Sequence, residues 1–196
     1  MKLGDVASIL TGIVVKRKQA DLADDTIKKY NILTLKSFDY DGLLNTNELD
    51  SFDSMEMIDD KYLTKKGDTI IRLSYPNTAI SIKNEIGLLI PSLFAVIRLM
   101  SKSILPEYLA LYLNSDAMRK FYSINSVGSV VKIVKTSALR DIELDVPEIM
   151  RQKKVVELYD LMIKEKRLYE DLKNEKAKYN NEIIKRLLSG GSANGN

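Results

Sequence analysis

Histidine, cysteine and tryptophan are absent from this 196-residue chain. Without imidazole or thiolate there can be no Cys/His zinc site, no Ser-His-Asp or Cys-His nucleophile pair, no haem attachment and no disulfide framework. Chemistry performed by the chain alone would rest on Asp, Glu, Lys, Tyr or hydroxyl groups, which moves the expectation from catalysis toward binding. Long apolar runs are also missing: the longest uncharged apolar segment, Ile86 to Ile97, is interrupted by Pro91 and Ser92 and falls short of the ~18 residues of a membrane helix. The opening Met1-Lys2-Leu3-Gly4-Asp5 lacks the apolar stretch of a signal peptide. The expectation is a cytoplasmic protein without membrane association.

Cofactor motifs are missing as well. There is no GxxxxGK[ST] and no GxGxxG, so neither a phosphate-binding loop nor a dinucleotide fold is indicated. A DNA methyltransferase should carry a Gly-rich cofactor loop and a catalytic Pro-Pro-aromatic motif, whereas Ser74-Tyr75-Pro76-Asn77 has one Pro in the wrong order. Asp59-Asp60-Lys61 is only a fragment of a metal-dependent nuclease motif, with no preceding Pro-Asp. No catalytic residue, metal or cofactor is therefore assigned.

What is present is a chain with 45% hydrophobic and 29% charged residues, enough for one globular domain or one domain with an appendage. Its hydrophobic period changes once, near Pro147. Before it, β-branched segments alternate with turn signals and read as strands: Val6 to Leu10, Ile13 to Val15, Ile32 to Leu35, Thr69 to Leu73, Thr78 to Ile82, Phe94 to Leu99, Val130 to Val134 and Ile142 to Val146. Pro106 opens a helix on which Leu105, Leu109, Tyr112 and Leu113 repeat, and a second helical piece carries Met118, Phe121 and Tyr122. From Glu148 to Leu188 there is no Gly and no Pro, and Val155, Leu158, Met162, Tyr169, Leu172, Tyr179 and Ile183 fall on steps of three and four, with Glu165 and Lys176 interpolated. A seam repeating every 3.5 residues with charged flanks is the mark of a coiled coil. The expected fold class is α+β: a mixed α/β domain over 1–147, one long coiled-coil helix over 148–188, and a flexible Gly/Ser/Asn/Ala tail over 189–196.

The formal net charge is only +3, and its distribution is more informative. Ser37 to Asp60 holds eight acidic residues and no Lys or Arg, while Ala117 to Arg140 holds Arg119, Lys120, Lys132, Lys135 and Arg140 and no acid. Lys16-Arg17-Lys18 and the group Lys61, Lys65, Lys66 and Arg72 are further basic clusters. Such clusters bind phosphate backbones, with Ser, Asn and backbone N–H groups adding register; a solvated charged surface is the other reading of the same residues.

In order along the chain, Lys2-Leu3-Gly4-Asp5-Val6 with Thr11-Gly12, then Tyr30-Asn31-Ile32-Leu33-Thr34 ahead of Gly42, then Leu63-Thr64-Lys65-Lys66-Gly67-Asp68-Thr69-Ile70-Ile71 form a recognisable series. It continues with Pro91-Ser92-Leu93-Phe94-Ala95-Val96-Ile97, Leu105-Pro106-Glu107-Tyr108-Leu109, Asn114-Ser115, Gly128-Ser129, Leu139-Arg140-Asp141-Ile142 and Val146-Pro147-Glu148-Ile149 before Gln152 and the long helix. Over nearly all of residues 1–188 this series resembles the specificity subunits of type I restriction–modification systems, in which target recognition domains alternate with long helices. Those subunits carry two recognition domains and two helices; this chain has one of each and looks like a half-length member.

The resemblance implies a sequence-specific DNA-binding subunit that recognises double-stranded DNA and docks separate modification (methyltransferase) and restriction subunits. A lone seam is best completed by its own copy, and a twofold dimer should read a palindromic bipartite site. For phosphates the candidates are Lys16, Arg17, Lys18, Lys132 and Lys135, with Ser126, Gly128 and Ser129 as a backbone-rich loop; for base edges they are Arg72, Tyr75 and Asn77, since Arg can read guanine and Asn adenine. Two other readings stay open: a truncated fragment acting as an assembly or decoy partner, and the specificity component of a related type II system. The seam residues are assigned to homodimerisation. Replacing Leu158 and Leu172 by Asp should give monomers by light scattering, and a dimer of unchanged mass would remove the seam from the interface.

Overall fold

The computed structural model describes residues 1–39, 41–128 and 131–190, and the chain divides into two compact units, Met1–Val156 and Glu157–Asn196. The first begins with a short helix α1 (Leu3–Val6) and strand β1 (Ala7–Thr11), followed by β2 (Lys28–Ile32), β3 (Asp50–Ser54), β4 (Thr69–Arg72), β5 (Ala79–Ser81) and β6 (Phe94–Leu99). Helices α2 (Pro106–Leu113) and α3 (Asp116–Asn125), a small hairpin of β7 (Ser126–Val127) and β8 (Ile133–Val134), and α4 (Thr136–Arg140) complete it. Helix α5 (Ile149–Gly190) starts in this unit and makes up the second.

The central sheet is antiparallel with strand order β1-β6-β4-β5. Its middle strand explains the unbroken apolar run Phe94-Ala95-Val96-Ile97, because both faces of β6 are covered. Phe94 and Val96 pack with Ile70, Ile80, Phe38 and Ile90 on one side. Ala95 and Ile97 meet Ile9, Ile71, Leu109 and Leu113 on the other, where α2, α3 and α4 lie. A strand buried on both faces loses the polar alternation of a half-exposed one. A third cluster, Tyr30, Ile32, Phe52, Ile58 and Leu89, sits under the separate β2–β3 ribbon.

Several expected elements shift. The strand expected at Ile32 to Leu35 lies earlier, at Lys28–Ile32, and its partner β3 runs through Asp50-Ser51-Phe52-Asp53-Ser54, inside the acidic stretch. Asp and Ser disfavour strands, but burial of Phe52 and Ser54 on one face overrides that preference. The segments at Ile13 to Val15 and Ile142 to Val146 form only isolated bridges, through Ile13 and Glu143. Helix α5 extends through Ser189 and Gly190, two residues past its expected end; residues 191–196 of the expected tail lie outside the described residues. Among the described residues no helix is long and apolar enough to cross a membrane.

The Lys-Gly-Asp stretch of the sequence series has a structural cause. Buried Asp68 accepts from Arg98 Nε at 3.0 Å, from Arg98 Nη2 at 3.0 Å and from the Lys65 amide at 2.9 Å. The same guanidinium donates to the carbonyls of Lys61 and Leu63, so one partly buried ion pair ties the turn before β4 to β6. Gln152, fully buried, performs a similar task in the first turns of α5: its Nε2 donates to Ser103 O (2.7 Å) and Pro147 O (2.8 Å), and its Oε1 accepts from the Leu105 amide (2.8 Å).

Edge strand β5 is held by a side chain. Asn114, the residue that ends α2, accepts from the Ala79 amide at 2.7 Å and donates to the Ala79 carbonyl at 2.8 Å. Its amide thus stands in for a neighbouring strand on an edge that would otherwise be open. Gly42, at φ +69°, passes so close that a Cβ would approach Asn114 Nδ2 to 2.7 Å. Asn114→Ala should lower unfolding stability by about 2–4 kcal/mol, because both polar groups of the buried Ala79 backbone lose their partner; the urea midpoint measures it.

Candidate nucleic-acid interface

Two neighbouring loops shape a groove. Asn77 Nδ2 donates to the carbonyls of Arg72 (3.1 Å) and Leu73 (2.9 Å), and Arg72 donates from Nε to Ser74 Oγ (3.2 Å) and from Nη2 to Tyr75 O (3.1 Å). These bonds fold residues 72–77 into a tight turn with Tyr75 on its outside. Next to it lies the β7–β8 hairpin, because the Val134 amide donates to Leu73 O at 2.9 Å and Ile133 bridges to Ser74. Between the turn, the hairpin and α3 is a cavity of about 600 Å³, lined among others by Tyr75, Asn77, Asn114, Arg119, Ser126 and Lys132.

The groove is cationic at its rim. Arg119 and Lys132 are exposed, and the only ion pair described for either is that of Arg119 Nη1 with Asp116 at 3.3 Å on the same helix face. An exposed pair of this kind is weak and is readily replaced by a phosphate. Tyr122, almost fully buried, closes the inner wall and donates its hydroxyl to Leu113 O at 2.9 Å. Burial, with a lesser contribution from Tyr112, pushes the Tyr122 phenol far above its ordinary value, so it serves as a neutral hydrogen-bonding wall and not as an acid or base. Among the described residues no group of three or more Asp or Glu could hold a metal ion.

The sequence-predicted residues distribute unevenly. Tyr75, Asn77, Ser126 and Lys132 come together at the groove. Arg72 is committed to holding its loop. Gly128, just after β7, has φ +122°, and any Cβ there would collide with the Val131 carbonyl; Ser129 lies outside the described residues. Lys135 is exposed immediately before α4. The Lys16-Arg17-Lys18 cluster does not line the groove: it forms a 3₁₀ turn beside β3, where Lys18 pairs with Glu56 and its carbonyl accepts from the Met55 amide. Arg119 and Asn114 belong to the groove yet were not singled out for it. The acid-free stretch from Ala117 to Arg140 pointed to Arg119; Asn114 stood in the motif series as Asn114-Ser115, but its bonding to a residue 35 positions away was not legible there.

In α5 all seven expected seam side chains are exposed, from 38% for Ile183 to 67% for Tyr179. Leu161 and Leu168 are exposed too and precede Met162 and Tyr169, which widens the apolar face in its first half.

No family model and no curated protein sequence matches the chain. Solved structures do. The HsdS subunit from Thermoanaerobacter tengcongensis superposes with a TM-score of 0.66 at 15% identity, covering 100% of this chain and 50% of that one. This is the fold of a type I specificity subunit. The S subunit of the type I restriction–modification system of M. genitalium agrees, with a TM-score of 0.56, 10% identity and 98% and 46% coverage. So does a chain from a type I R-M complex, at 0.58, 16%, 95% and 42%. The present chain spans half or less of the length of each.

Tyr122→Phe isolates the buried phenol. At pH 8 it should cost about 1 kcal/mol for the lost bond to Leu113. The raised folded pKa means that the wild-type advantage is fully present below the unfolded Tyr value of about 10 and disappears as pH rises through the folded value. The gap between the urea midpoints of wild type and variant should therefore hold up to about pH 10 and shrink as the pH is raised further.

Proposed function

We propose that this chain is the DNA-specificity component of a type I restriction–modification complex, working as a homodimer. The observation that carries this reading is the specificity-subunit fold over the whole chain at half the length of its structural neighbours. Two copies restore that length, and the exposed stripe Val155, Leu158, Met162, Tyr169, Leu172, Tyr179 and Ile183 is the face through which they close, since an isologous contact is the commonest route to a dimer.

Each copy then presents one basic groove. Arg119 and Lys132 meet phosphates, with Lys135 and the Lys16-Arg17-Lys18 turn as outlying contacts, while Tyr75 faces base or sugar edges from a loop shaped by Arg72 and Asn77. Phosphate contacts set affinity and register, and base-edge contacts set sequence. Twofold symmetry makes the target palindromic and bipartite. The modification and restriction subunits dock on the assembly and supply the methyl-transfer and cleavage chemistry for which this chain has no residues.

Methylation-site mapping in cells carrying the intact system should return an inverted bipartite motif; an asymmetric motif would reject the homodimer. In vitro, Arg119→Ala with Lys132→Ala should reduce the slope of log K against log[salt] by about 2 in magnitude per groove, close to one phosphate for each cation removed. An unchanged slope would take the groove out of the DNA interface.

A further inference from the structure

Apolar side chains stand in solvent around this cationic groove. Ile124 is 82% exposed, Tyr75 80%, Val127 52% and Ile133 41%. On the β7–β8 hairpin the register is Ser126 opposite Val134 and Val127 opposite Ile133. Adjacent cross-strand pairs point to opposite faces, and Val134 is fully buried, so the Val127–Ile133 pair is held outward. Such a pair of β-branched residues would ordinarily cover a core. The buried Val134 and the bond from its amide to Leu73 O hold the pair in this orientation. The Ile133–Ser74 bridge puts the pair beside the loop that carries Tyr75.

Resting on the DNA-recognition reading above, we infer that the Val127–Ile133 pair is an apolar reading edge that enters a groove of the duplex and packs against deoxyribose and base-edge carbon atoms. Charge complementarity selects nucleic acid over a protein partner: the cations Arg119 and Lys132 line the groove beside the pair, and among the described residues no acidic one lines it. A duplex offers the matching layout, phosphates outside and apolar edges inside, and its major groove admits a two-stranded ribbon. The cations and the apolar pair therefore make separable contributions, one sensitive to salt and one not.

The test is the double variant Val127→Thr with Ile133→Thr, which keeps the β-branched shape on exposed positions and should leave the urea midpoint unchanged. On a duplex carrying the mapped site, the full-length dimer should bind about tenfold more weakly, on the scale of one lost base-pair contact, with the salt slope unchanged and with reduced preference over a scrambled duplex. Wild-type affinity and preference in the variant would overturn the inference while leaving DNA recognition standing. Undiminished DNA binding together with lost capture of the methyltransferase subunit would overturn it in favour of a protein contact. Failure of the wild-type protein to bind DNA at any salt would remove both this inference and the reading beneath it.

Discussion

One side-chain amide closes the first unit. Asn114 ends α2, satisfies both backbone groups of Ala79 on the edge strand and leaves room only for glycine at position 42. Because its acceptor and its donor are engaged at once, α2 can sit against β5 in one register only. Tyr122 then donates its hydroxyl to the carbonyl of Leu113, the last residue of α2, so α3, and with it Arg119, is referenced to the same corner. The groove's geometry follows from this chain of short polar contacts more than from the apolar packing beneath it, which would tolerate small slides.

The remaining polar anchors work in the same way. Asp68 with Arg98, and Gln152 with three backbone groups, are buried or nearly so, and each joins segments far apart in sequence. Their cost is desolvation, and it is offset because nearly every donor and acceptor in each set has a partner. The rim cations Arg119 and Lys132, by contrast, stay in solvent.

How much of this was legible in the sequence depends on the range of the interaction. Helix α5 and strand β6 were readable because period and burial are local properties of a run of residues. β3 was not, because one buried Phe52 outweighs two Asp and two Ser only once β2 is alongside it. The basic clusters show the same limit. Lys16-Arg17-Lys18 is conspicuous in the sequence yet is anchored beside β3, whereas Arg119, Ser126 and Lys132 are scattered and converge. Asn77 was read as a candidate for adenine, and its amide holds the loop that displays Tyr75. The order of short motifs did carry the fold, since Asp68 in the Lys-Gly-Asp stretch and Gln152 after Pro147 are the buried anchors of that architecture.

The division between anchors and rim has an evolutionary consequence. The side chains of Tyr75, Val127 and Ile133 are exposed, so a shape-preserving replacement there costs the fold little, while Asn114 and Gly128, which set the frame, admit no such freedom. Under the proposed function, target preferences would be sampled one exposed residue at a time without first accumulating spare stability. In the proposed homodimer each such change would alter both half-sites together, so a single substitution would shift the recognised sequence symmetrically.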